Sequence, residues 1–380
     1  MTMRGWTELL LAGSLGLAGC DGGCPDESGV ACVFAGTGEL GLGDDGLPAR
    51  QTDLYWAMDM EFAPDGRPYL LDWNNHLVRR VNADGTVETI IGDFVGDGPG
   101  DGSDLTLPGA PGNTVRLNHP TDIQFDGEGN LILAAWHNHK LRVWDPSTGL
   151  VHVMCGRGGG YAGDGGPAES AIFNQPKDIV LRDDGSIYIL DQRNHRIRLI
   201  APDGTIDTVV GAGTAGFSGD GGDPLLAELR FEAGGNPEPS GGITLDDEGI
   251  LYIADGLNHR IRRVDFVANT IETVVGTGEA GFSGDGGPGT SAQVSHVRDV
   301  EIGPDGRLYF ADTENDRIRA WDPATGVVET VAGSGERAMG AEGVEARAIA
   351  LDRPFGLAFG PGGALYVADT FNSRFLRIPR

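Results

Sequence analysis

Positive charge is what this 380-residue sequence has least of: 28 Lys and Arg stand against 56 Asp and Glu, a formal charge of −28. A chain this acidic has little with which to displace counterions from a phosphate backbone, which excludes nucleic acid as its partner. There are only four cysteines, with no Cys-x-x-Cys pair and no His/Cys spacing suited to structural zinc. No apolar run is long enough to span a bilayer. No segment carries a helical period long enough for a strand–helix–strand unit. Glycine, by contrast, is abundant at 63 residues, yet it follows no Gly-X-Y period, so a collagen-like fibre is excluded. The 39% of hydrophobic residues suffice for a core and exclude wholesale disorder.

Residues 1–19 read as a bacterial lipoprotein signal peptide. Arg4 marks a short basic region, and Leu9 to Leu17 form an apolar run of h-region length. The run ends in Leu17-Ala18-Gly19-Cys20, which resembles the lipobox cleaved before a cysteine that then carries acyl chains. Cys20 is therefore the expected lipidation site, and the expected partner is a lipid bilayer gripped through its acyl groups. Residues 20–30 form a short tether, and Asp21 resembles the residue that retains such proteins at the inner membrane of enteric bacteria. The expected address is the bacterial cell envelope, facing the periplasm or the exterior. An exported compartment permits disulfides. Cys24 and Cys32 are close enough to close a loop, Cys155 sits in an apolar strand pattern, and a Cys32–Cys155 bridge stays open on spacing alone.

One phrase recurs through residues 31–380. It reads Asp72-Trp73-Asn74-Asn75-His76-Leu77-Val78-Arg79, then Asp191-Gln192-Arg193-Asn194-His195-Arg196-Ile197-Arg198. Copies follow from Asp255, Asp312 and Asp369, and a degenerate one has Ala135 in the aspartate's place. The steps between these positions are 63, 56, 64, 57 and 57 residues, the long ones explained by Gly/Pro-rich insertions at 93–116 and 232–241. Each unit resolves into four short strands with Asp-Gly hairpin turns between β-branched runs. Repeated four-stranded sheets predict a β-propeller. The phrase Val33-Phe34-Ala35-Gly36 is a fourth strand without the three that should precede it, while the last unit ends at Arg380 after its third strand. The fold expected is all-β, a six-bladed propeller whose N-terminal strand completes the C-terminal blade and so removes two free sheet edges. A monomer is expected.

The Asp-x-x-Asn-His-Arg-Ile-Arg, Thr-Val-Val-Gly and Gly-Phe-Ser-Gly-Asp-Gly-Gly phrases resemble NHL repeats, and Asn75-His76-Leu77 spells the name. The resemblance covers roughly residues 31–380 and implies the fold. It leaves the activity open, because propellers host binding modules and enzymes alike. It also implies comparison with six-bladed lactonases and a peptide-amidating lyase, which hold calcium or zinc about the central channel.

Most repeated residues read as blade builders. The asparagines at 75, 138, 194, 258, 315 and 372 are expected to supply left-handed backbone at the turn, and Arg196, Arg260 and Arg317 to bridge neighbouring carboxylates. Gly211-Ala212-Gly213-Thr214-Ala215-Gly216 matches a dinucleotide fingerprint literally, but no helix follows it, so it reads as an inter-blade crossover. Asp93, Asp97, Asp101 and Asp104 could collect oxygen ligands for calcium, although the order of an EF-hand is missing. The sharper constellation is Asp59, Asp122, Asp178 and Asp299, at equivalent positions where each blade's innermost strand begins, as candidate metal or ligand residues. His119 and His296 stand three residues earlier in the second and fifth blades and are the candidate general bases. Gly241-Gly242 and Phe355-Gly356 break the pattern in two blades. With no nucleophile–base pair or full ligand set in one place, the reading favoured is a tethered, non-catalytic module that binds a protein, peptide or glycan through its loop faces. The alternative is a metal-dependent hydrolase or lyase, calcium or zinc at the channel mouth.

Overall fold

A computed structural model describes residues 24–93, 103–231 and 238–380. Those residues form six antiparallel sheets of four or five strands and contain no α-helix. In blade 3 the innermost strand, Pro176–Leu181, turns through Asp184-Gly185 into Ile187–Asp191. Arg196–Ile200 and Thr205–Val210 complete it. Two-residue strands such as Gly166–Pro167 add a fifth rung on the outside of four blades.

The ring closes as the chain ends require. Val30–Ala35 pairs antiparallel with Arg374–Ile378, with Cys32 opposite Arg377 and Val33 opposite Leu376. Cys24 and Cys32 are joined by a disulfide, while Cys155 is a buried free thiol. The core is divided into six apolar clusters, one at each junction between neighbouring blades. Every second strand is buried end to end, as a strand covered on both faces must be.

The turn after each second strand departs from expectation in one detail. The asparagine is not the left-handed residue; the next one is, at His76, His139, His195, His259, Asp316 and Ser373, with φ between 47° and 57°. The asparagine amide has another task. Asn194 Nδ2 donates to Asp191 Oδ2 (2.7 Å) and to the Gly160 carbonyl (2.7 Å), tying the turn to the crossover loop.

Candidate functional site

The repeated aspartates are wholly buried, and each meets an arginine. The guanidinium is not that of Arg196, Arg260 or Arg317. Arg196 lies directly opposite Asp191 in the ladder, yet it turns away to the Ala212 carbonyl and over the Tyr161 ring. Arg260 and Arg317 do the same over Phe217 and Phe282. The diagonal partner fills the interior: Arg198 reaches Asp191 at 3.5 Å, Arg262 reaches Asp255 at 3.3 Å and Arg319 reaches Asp312 at 3.3 Å. In blade 6 the diagonal residue is Leu376, and the opposed Arg374 takes the carboxylate at 2.8 Å. Burial still pushes Asp191, Asp255 and Asp312 up to about 6, against the pull of the amide, backbone and guanidinium donors. These are structural pairs.

The four channel aspartates do come together. Asp59, Asp122, Asp178 and Asp299 line a cavity of about 220 Å³ on the propeller axis, with Glu61 and Glu301 one step further along their strands. His119 and His296 are not among its lining residues. The carboxylates are used between blades. Asp122 Oδ2 accepts from the Ile179 N–H (2.6 Å), Asp178 Oδ2 from Ile243 (3.2 Å) and Asp299 Oδ2 from Leu357 (2.8 Å). Each therefore staples its own blade to the next.

The missed residue of the channel is Lys177, one of only two lysines in the chain. It is buried, and its ammonium donates to Asp178 Oδ2 at 3.1 Å and across the axis to the Arg298 carbonyl at 3.2 Å. Burial alone would lower its pKa, but Asp178, Asp299, Asp59 and Asp122 outweigh that and raise it. Burial, and then the neighbouring carboxylates, push Asp59 and Asp122 well above the usual carboxylate range. Burial takes Asp299 up to about 7. A calcium or zinc ion does not fit this donor set well, since an ammonium already stands among the carboxylates and backbone N–H groups hold oxygens of Asp122, Asp178 and Asp299. Among the described residues no three His, Cys, Asp or Glu side chains are arranged to hold a metal.

The two glycine interruptions follow from the same crowding. A Cβ on Gly242 would lie 2.9 Å from Asp299 Oδ1 and 3.1 Å from Asp178 Oδ2. One on Gly356 would lie 2.5 Å from the Met58 carbonyl and 2.7 Å from Asp59 Oδ1. The axis holds four aspartates, and the other two blades must yield space. Gly356→Ala should thus lose about 1–3 kcal/mol by overpacking, seen as a lower urea midpoint with an unchanged m-value.

Glu61 gives a second prediction. Burial raises its pKa to about 7 from an ordinary 4.5. The folded state then binds the proton more tightly than the unfolded chain, so this group's contribution to stability falls as pH rises from about 4.5 to 7. Glu61→Gln removes the ionisation. It should stabilise the protein by about 1–3 kcal/mol at pH 8 and much less at pH 5, in paired thermal melts.

Above the channel lies the mouth. Three residues before five of the six channel positions stand Trp56, His119, Gln175, His296 and Arg353, all left-handed at φ between 45° and 64°. Such bulky residues in that region carry strain, which concentrates at working surfaces. Trp56 stacks on Trp73 (5.7 Å, 13° between planes) and on Phe371 (4.5 Å), with Tyr55 set edge-on at 5.9 Å. His119 lies 4.7 Å from Trp73, and its Nδ1 meets Asn118 Oδ1 at 2.7 Å and His137 Nδ1 at 3.0 Å. Burial, chiefly, holds His119 down to about 3 and His137 to about 4, so both imidazoles are neutral at pH 7. His296 Nε2 is instead bonded to Ser240 Oγ at 2.9 Å.

The acidic insertion divides. Asp104 is fully buried and binds Arg142 at 2.6 Å, and Asp93 is half-buried, whereas Asp97 and Asp101 lie outside the described residues. Cys20 and the signal segment lie outside them too.

No protein-family model matches the chain. The chloroplastic protein SUPPRESSOR OF QUENCHING 1 of Arabidopsis thaliana is 30% identical over 265 residues, 67% of this chain and 24% of that protein. NHL repeat-containing protein 2 of Gallus gallus is 25% identical over 293 residues, 68% of this chain and 38% of that one. The chain thus spans less than two fifths of these curated relatives. Among solved structures, an auxiliary nutrient binding protein from Bacteroides ovatus superposes with a TM-score of 0.63 at 16% identity, covering 92% of this chain and 76% of that one. At that identity the likeness shows the fold alone. The chain is thus a six-bladed β-propeller whose homologues include NHL repeat-containing proteins.

Proposed function

We propose that this protein is a non-catalytic binding propeller that takes its ligand on the channel-mouth face and works at the bacterial cell envelope, tethered through an acylated Cys20. The observation that carries the binding reading is Lys177. A lysine ammonium and inter-blade backbone donors engage oxygens of Asp122, Asp178 and Asp299 that a hydrolase or lyase of this shape would give to a metal, which makes the ring a floor beneath the aromatic mouth. The Cys24–Cys32 disulfide, immediately after the tether, agrees with an oxidising compartment.

Elemental analysis of the purified protein tests the floor. Stoichiometric calcium or zinc that disappears in Asp122→Asn with Asp299→Asn would overturn the binding reading in favour of metal-assisted chemistry. No such metal is expected. For the tether, full-length protein should take up labelled palmitate and fractionate with membranes, and Cys20→Ser should do neither. Membrane association unchanged by that substitution refutes lipidation.

A further inference from the structure

We infer that the mouth takes a neutral saccharide, with one sugar ring lying against the ledge formed by Trp56, Phe371 and Tyr55. The inference rests on the reading of the mouth as the binding face and adds the ligand's chemical class.

Three observations carry it. The first is the ledge. Trp56 and Phe371 are part-buried with centroids 4.5 Å apart, and Tyr55, edge-on to Trp56, keeps 38% of its surface exposed. Flat, partly wetted rings of this kind suit the CH face of a pyranose, an apolar surface bordered by hydroxyls. Trp56 is held there in left-handed backbone, braced by its N–H on Ser373 Oγ at 3.2 Å and by the Trp73 N–H on its carbonyl at 3.2 Å.

The second is an orphan donor. Trp136, at the same turn position in blade 2, gives its indole N–H to Gln192 Oε1 at 2.9 Å. Among the described residues Trp73, only 7% exposed, has no acceptor for its Nε1. A buried N–H without a partner is costly and needs explaining. Trp73 packs against both Trp56 and His119, so its covered N–H is one ring away from the ledge, and a hydroxyl that reaches past the Trp56 ring is an acceptor of the right kind.

The third is charge. The cation at the ledge, Arg353, stands 4.8 Å over the Phe371 ring and is paired with Glu314 at 3.5 Å, while Arg298 is held by Glu238 at 2.5 Å and Lys177 by Asp178 at 3.1 Å. On the Trp73 side the flanking group is the neutral imidazole of His119, 4.7 Å away, and a neutral imidazole offers one donor and one acceptor. A sugar hydroxyl, itself both donor and acceptor, matches that pairing, whereas a phosphate or carboxylate would need a free cation.

The test is calorimetry and tryptophan fluorescence on the intact mature chain with neutral hexaoses of glucose (α- and β-linked), mannose, xylose and N-acetylglucosamine, up to about 1 mM. Hexagalacturonate serves as the charged comparison. The expected result is that at least one neutral hexaose binds, changes the tryptophan emission, and binds about tenfold or more weakly to Trp56→Ala and Tyr55→Ala. Tyr55 is exposed, so its variant guards against loss by misfolding, and Val267→Ala, 99% exposed in a turn of blade 4 between its third and fourth strands, should bind as wild type does. Binding of hexagalacturonate in preference to every neutral hexaose overturns the inference. So does selection from a random-peptide phage library of peptides lost on Tyr55→Ala when no hexaose binds; that outcome leaves the mouth as the binding face. If neither hexaose nor peptide depends on Trp56 or Tyr55, both the inference and the reading beneath it fail.

Discussion

Lys177→Met should cost about 3–5 kcal/mol at pH 8 and lower the melting temperature by about 10 °C, with the loss shrinking towards pH 5. Methionine keeps the unbranched stem, so the change is essentially one of charge. In the native ring the ammonium holds the pKa values of Asp59, Asp122 and Asp299 below where burial alone would put them. Without it those values rise further. For a carboxyl whose folded pKa lies above its unfolded value, stability is full below the unfolded pKa and is lost as pH climbs to the folded one. Native and variant stabilities fall in parallel up to the native pKa values, so the variant's penalty opens only where these carboxyls ionise in the native ring, from about 7 for Asp299, and is larger at pH 8 than at pH 5. Melts at pH 5 and pH 8 decide the matter. An equal loss at both would mean that Lys177 acts by filling space, and the reading of the ring as a charge-balanced floor would go with it.

The ring also shows where the sequence was legible. Asp-Gly hairpins, the crossover glycines and a strand left over at each end are local signals in phase, and together they specify six blades and their closure. The equivalence of Asp59, Asp122, Asp178 and Asp299 was legible for the same reason. The occupant was not, because the position before the channel residue reads Met58, Thr121, Lys177, Gly241, Arg298 and Phe355 around the ring, and a repeat-based reading averages so variable a residue away. Yet a chain with two lysines that sets one beside a channel aspartate carries a visible sign. The ledge was hidden differently. Tyr55, Trp56 and Phe371 are at the two ends of the ring closure, more than 300 residues apart, and only the closed circle brings them together. Arg198 and Arg196 lie two apart on one strand, so period-2 reasoning cannot choose between them. The choice depends on which guanidinium reaches diagonally under the turn.

Blade 2 gives the second large effect, because there the repeat has been broken and mended from elsewhere. Ala135 stands where the other blades have aspartate, so the buried Arg142 has no counter-charge from its own turn. Asp104, from the insertion that reads as a calcium loop, supplies it at 2.6 Å, with both side chains fully buried. The lost aspartate had another duty as well. In blade 3 Asp191 Oδ1 accepts the Asn174 N–H at 2.7 Å. In blade 2 Asn138 Oδ1 does this for the Asn118 N–H at 2.9 Å and also accepts from Arg142 Nη1 at 2.9 Å. Asp104→Ala should consequently cost about 3–5 kcal/mol, since it strands a buried guanidinium. Ala135→Asp added to that variant restores the diagonal pair of blades 1, 3, 4 and 5 and should recover most of the loss. Ala135→Asp alone places two carboxylates about one arginine and should itself destabilise. Urea unfolding of the four proteins closes a double-mutant cycle in which the two substitutions are strongly non-additive. Simple additivity would show that Asp104 is no substitute for the missing repeat aspartate, and would return the insertion to the search for a ligand.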